Sequence, residues 1–85
     1  MATKEKTVEE QVIDVICDEM GRASVCLDER LQEDLSMDSL DIAEVMHRLE
    51  NIYWIKLDSL ARYDVVTVKD LVNMVKAEDA RTHQI

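Results

Sequence analysis

The chain has 85 residues, with 19 acidic against 10 basic side chains and a net charge of −9, a field that repels nucleic acid and anionic membranes and favours partners with basic patches. Hydrophobic residues make up 47% of it, enough for one packed interior and no second core, but Phe is absent and Trp occurs once. A core this small and this aliphatic leaves little room for a deep catalytic cleft, which argues against an enzyme.

No basic segment precedes an apolar run with a cleavage site, and no apolar run is long enough to span a bilayer. The expectation is a cytoplasmic monomer with no membrane association. Cys17 and Cys26 fall in no metal-ligand spacing and are expected as reduced thiols. Proline is absent and Gly21 is the only glycine, so tight hairpins and Gly-rich phosphate loops are disfavoured and helices joined by polar segments are expected.

Thr7 and Glu10 have the spacing of a capping box and predict the start of a first helix. Val8, Val12, Val15, Ile16 and Met20 then recur at helical spacing, and Gly21 suits the left-handed residue that ends a helix. From Gly21 to Met37 no period is sustained. Leu27, Leu31 and Leu35 stand four apart, and Leu31 and Leu35 are expected to pin a long loop to the core. Loops of this length in small domains are often functional.

Asp38 can cap a second helix, with Ile42, Val45, Met46, Leu49, Ile52 and Tyr53 as its core-facing stripe. The β-like run Ile52-Tyr53-Trp54-Ile55-Lys56-Leu57 reads as the end of that helix entering a buried linker, since a lone strand would have no partner. A short helical turn is expected after Asp58, with Leu60, Ala61 and Tyr63 partly buried. Thr67 and Asp70 repeat the capping spacing, and Val68, Leu71, Val72 and Val75 mark a last helix that frays after Glu78. The expected fold is therefore all-α. It is a small four-helix bundle with three main helices, one short helix and a long loop between the first and second.

The chemistry concentrates in Leu31-Gln32-Glu33-Asp34-Leu35-Ser36-Met37-Asp38-Ser39-Leu40-Asp41-Ile42-Ala43-Glu44. Ser39 occupies the first turn of a helix directly after an acidic cap, where backbone N–H groups and the positive end of the helix dipole favour a phosphodiester. Its nearest histidine in sequence, His47, lies two helical turns away. Without an adjacent base Ser39 is not an activated nucleophile, whereas a hydroxyl modified by another enzyme needs only exposure. Leu40, Asp41, Glu44 and His47 share one helical face by their spacing of three and four.

With these residues the chain resembles the acyl carrier protein family. The resemblance rests on Asp38-Ser39-Leu40, with Glu33-Asp34-Leu35 before it and Asp41 and Glu44 after it, and covers roughly residues 7 to 77 of a single domain spanning 1–85. It implies that Ser39 receives 4′-phosphopantetheine from coenzyme A through a separate magnesium-dependent phosphopantetheinyl transferase. Acyl intermediates of fatty acid or related, polyketide-type biosynthesis would then be carried as thioesters on the arm. It further implies that Asp38, Asp41 and Glu44 meet basic patches on the transferase and on acyl-processing enzymes, and that Leu40 is the apolar contact beside the arm. His47 belongs with these partner-facing positions. The chain departs from the family's pattern at Ser36, where a glycine is usual, and at His47 and Arg48, which bring titratable or cationic groups into a helix usually acidic and apolar there.

Asp58-Ser59-Leu60 repeats the tripeptide, but it lacks the upstream leucine anchors and leads into Ala61-Arg62-Tyr63, so it reads as a helix cap. A calcium loop beginning at Asp34, with Ser36 and Asp38 on alternate positions, would have Ser39 where glycine is needed and Val45 where Glu is needed, and no metal site is expected. The alternative function is an acidic helical adaptor with no prosthetic group, in which Leu40, His47 and Trp54 contact a partner.

Overall fold

A computed structural model describes residues 6–57 and 65–82, and these are all-helical: α1 spans Val8–Met20, α2 Ser39–Tyr53 and α3 Val68–Thr82. The turn expected after Asp58 lies outside the described residues. α1 packs against both α2 and α3.

Each helix begins as its sequence dictates. The Thr7 hydroxyl accepts from the Glu10 N–H while the Glu10 carboxylate accepts from the Thr7 N–H, both at 3.1 Å. α1 ends at Gly21, whose φ of 67° is the left-handed conformation that glycine adopts without steric cost. α2 ends at Trp54, with φ 58° and ψ 44°, and there a bulky side chain carries a backbone penalty of about 1 kcal/mol. α3 continues through Thr82 rather than fraying after Glu78, with an Arg81–Glu78 ion pair in its last turn.

The apolar stripes meet as expected. Val12, Ile16, Val45, Leu49, Leu71 and Val75 are fully buried, and burial of each side chain contributes about 1.5–3 kcal/mol. Ile52 is a correction: it is 42% exposed, because it lies in the last turn of α2, off the line through Leu49 and Tyr53. Ile55 and Leu57 are buried after it, as expected of the linker. Arg48 points back to α1, its guanidinium 2.9 Å from Asp18 and 3.2 Å from Glu19. Both cysteines are free, and burial pushes the Cys17 thiol upward.

The long loop is held by a seam of backbone hydrogen bonds. The Leu31 N–H donates to the Val66 carbonyl at 2.8 Å, Val68 N–H to Glu29 at 3.0 Å and Lys69 N–H to Leu27 at 2.9 Å, around an antiparallel pairing of Arg30 with Thr67. The first N–H groups of a helix lack intrahelical acceptors. At α3 the loop carbonyls satisfy the first two, and the Thr67 hydroxyl takes the third, that of Asp70, at 3.1 Å.

Candidate functional site

The end of the long loop positions the start of α2. Leu31, Leu35 and Met37 are buried, while Ser36, Asp38, Ser39 and Leu40 face outward. The Met37 N–H donates to the Leu31 carbonyl at 3.0 Å, so the residue just before the cap is tied to the seam. Ser36 sits at φ 59°, the conformation that glycine supplies without penalty, so serine here holds a backbone geometry suited to glycine.

Arg30 braces the loop from outside. Asp34 accepts from the Arg30 backbone N–H at 2.8 Å and from its guanidinium at 3.2 and 3.3 Å, and these bonds hold the Asp34 carboxyl below the usual carboxylate range. Glu33 pairs with the same guanidinium. Asp34 is therefore committed to an arginine and Asp38 to a helix cap, an arrangement that does not suit the two carboxylates to a calcium loop.

Asp38 has an extended backbone, and its carboxylate accepts from the Asp41 N–H at 2.8 Å. Asp41 returns the bond, accepting from the Asp38 N–H at 3.1 Å. Sequence reasoning places Asp41 on the partner-facing side. It is half-buried and is also the second half of the cap, a role its position three residues after Asp38 makes legible.

Ser39 is the first residue of α2 and is exposed. Its own N–H and that of Leu40 have no intrahelical acceptor, and none of the described residues supplies one. The side chain thus stands beside two open amide donors at the positive end of a helix, surroundings that fit a phosphodiester on the serine oxygen. His47 is eight residues on, about 12 Å along the axis, and approaches Glu50 at 3.9 Å and Asn51 at 3.4 Å. Among the described residues no base adjoins the Ser39 hydroxyl, and no three metal-ligating side chains gather.

The outward face of α2 carries Leu40, 66% exposed, with Glu44 and His47 also exposed. Arg48, turned onto α1, does not interrupt it. At the far end of α2 the closing residue, Trp54, is 82% exposed. Among the described residues no helix is long and apolar enough to cross a membrane.

A family profile described as the phosphopantetheine attachment site matches residues 10–75. The chain is similar to the acyl carrier protein of Rickettsia bellii (strain RML369-C), with 32% identity over 76 residues that cover 87% of this chain and 88% of that protein. It is 32% identical over 78 residues to the acyl carrier protein of Rickettsia typhi, covering 89% and 90% respectively. Identity to the acyl carrier protein of Campylobacter hominis is 31% over 69 residues, covering 79% and 87%.

Proposed function

The chain belongs to the acyl carrier protein family, whose members bear a phosphopantetheine attachment site, and from that premise we propose that Ser39 is the attachment residue. The observation that carries the assignment is an exposed serine at the first position of α2, beside the open amides of Ser39 and Leu40. When attached, the arm supplies a terminal thiol that holds acyl groups as thioesters. The protein itself holds the arm, presents it and is recognised, a carrier rather than a catalyst in keeping with its family. The Ser39 proton is removed by the transferase that brings coenzyme A.

Asp38, Leu40, Asp41, Glu44 and His47 form the face on which the transferase and acyl-processing enzymes dock through basic patches. Leu40 gives the apolar contact nearest Ser39, and the carboxylates give long-range attraction to a protein of net charge −9. The setting is cytoplasmic, where coenzyme A is available, and the working unit is a monomeric single domain with its core between about residues 7 and 77. Its pathway is fatty acid or related polyketide-type synthesis, in keeping with an aliphatic interior.

Incubation with coenzyme A and a broad-specificity phosphopantetheinyl transferase, followed by intact-mass measurement, tests the assignment. Wild type and Ser59→Ala gain one phosphopantetheine, and Ser39→Ala gains none while remaining folded. Gain by the Ser39 variant and loss in the Ser59 variant would move the site to the second tripeptide. Failure of wild type to gain mass with any transferase favours the adaptor.

A further inference from the structure

Trp54 closes α2 in a way that neither packing nor helix termination requires. The bulkiest side chain in the protein is 82% exposed, and its backbone sits at φ 58°, where glycine or asparagine would end the helix more cheaply. An exposed aromatic residue held in a disfavoured backbone conformation is the kind of outlier from which function is argued. Trp54 also stands at the end of a line. Leu40, Glu44, His47 and Asn51 follow at helical steps of four and three, so they lie along one face of α2 beginning beside Ser39; Trp54 follows directly as the left-handed residue that closes the helix, and all five are exposed. A rise of 1.5 Å per residue puts Trp54 about 20 Å from Leu40. Beside the indole lies a shallow open groove lined by Glu50, Asn51, Trp54, Ile55 and Lys56.

Resting on the assignment of Ser39 as the arm-bearing residue, we propose that Trp54 is a second anchor for the transferase that docks on Asp38 and Glu44, and that an arginine side chain of that enzyme occupies it. Charge complementarity selects arginine. Glu50 lines the groove, Glu44 is exposed on the preceding turns of α2 and the whole chain is strongly acidic. A guanidinium stacks flat on an aromatic face, and tryptophan gives the strongest such attraction. Lys56 also lines the groove, so the attraction comes from the indole face and Glu50 rather than from the groove's net charge. Two anchors about 20 Å apart fix the rotation of a rigid partner as well as its position, which the acidic turn alone does not. Rotation matters because the Ser39 hydroxyl must reach the partner's reacting centre.

Initial rates of transfer from coenzyme A, measured over a range of carrier concentrations, test this. Trp54→Asn keeps a residue that tolerates the left-handed conformation. It should raise KM about five- to thirty-fold, leave kcat unchanged and lower no melting temperature. Trp54→Tyr, which keeps an aromatic face, should raise KM by less than about threefold. Emission from the single tryptophan should be quenched as transferase is added to wild type. Wild-type KM for Trp54→Asn overturns this inference and leaves Ser39 standing, whereas an unmodified wild type overturns both. A change in emission with the concentration of the chain alone, or on adding zwitterionic vesicles, would make a second copy or a lipid surface the occupant and overturn the arginine assignment.

Discussion

The starts of α2 and α3 use the same local device and end in opposite states. Both carry a reciprocal cap, Asp38 with Asp41 and Thr67 with Asp70, closed by hydrogen bonds of 2.8–3.1 Å. At α3 the two remaining amides are taken by the carbonyls of Leu27 and Glu29, and Asp70 accepts from Val66 as well as Thr67. At α2 the corresponding amides face outward next to Ser39. Capping chemistry makes a helix begin, and what the neighbouring chain then covers decides whether that beginning is a joint or a site.

The comparison breaks most severely at Leu31, which anchors the loop to both helix starts. Leu31→Ala should destabilise the protein by about 2–5 kcal/mol in urea denaturation, because a fully buried leucine leaves a cavity. An unchanged midpoint would mean that the seam holds without it.

Removing the matched acids should sharpen the contrast. Asp70→Ala should cost about 1–2 kcal/mol and Asp41→Ala about 0.5–1 kcal/mol, since Asp70 accepts two backbone N–H groups and Asp41 one. Those bonds, first that from Thr67, hold the Asp70 carboxyl below its ordinary value. Its contribution is therefore fully present above the ordinary carboxylate pKa of about 3.9 and lost as pH falls through the lowered one. Asp70→Ala should accordingly flatten the acid side of the stability curve, and an acid limb as steep as the wild type's would refute that.

Glu44 separates recognition from folding, because it is exposed and among the described residues takes part in none of the helix caps or ion pairs. Glu44→Lys should slow phosphopantetheinyl transfer several-fold at low salt with no change in melting. The deficit should narrow as salt rises, since the Debye length is about 8 Å at physiological ionic strength. Equal rates at every ionic strength would remove Glu44 from the docking face. The smallest effect is expected at Ser36. Ser36→Gly should stabilise by about 0.5 kcal/mol, relief of the left-handed backbone outweighing the greater freedom of glycine in the unfolded chain.

Much of this was legible in the sequence because its signals are local. Thr7 with Glu10, Thr67 with Asp70 and the acidic cap at Asp38 each act within one turn, and periodic valines and leucines mark the buried stripes. The seam was not legible. Its bonds join backbone groups far apart in the chain and have no side-chain signature, so Val25, Met37 and Val65 could not be recognised as core residues. Ile52 misled because a periodic stripe says which face an apolar residue occupies but not whether another element reaches that far. Asp41 was legible as an acid on the docking face and, by the same spacing, as a cap; only the first role was expected. The adjacent His47 and Arg48 show how finely register divides roles, one exposed near Glu50 and the other bound to α1.

The seam also orders events during synthesis. The tripeptide Asp38-Ser39-Leu40 leaves the ribosome well before Val66, Val68 and Lys69, which supply the bonds that hold residues 27 to 31. Until those residues emerge, the leucine-anchored loop lacks its partners, and Ser39 sits at the head of a helix whose supporting wall is unfinished. The wall that holds the loop before Ser39 is thus completed only by residues that follow it by almost thirty positions or more, so the site and the start of α3 belong to one folding unit.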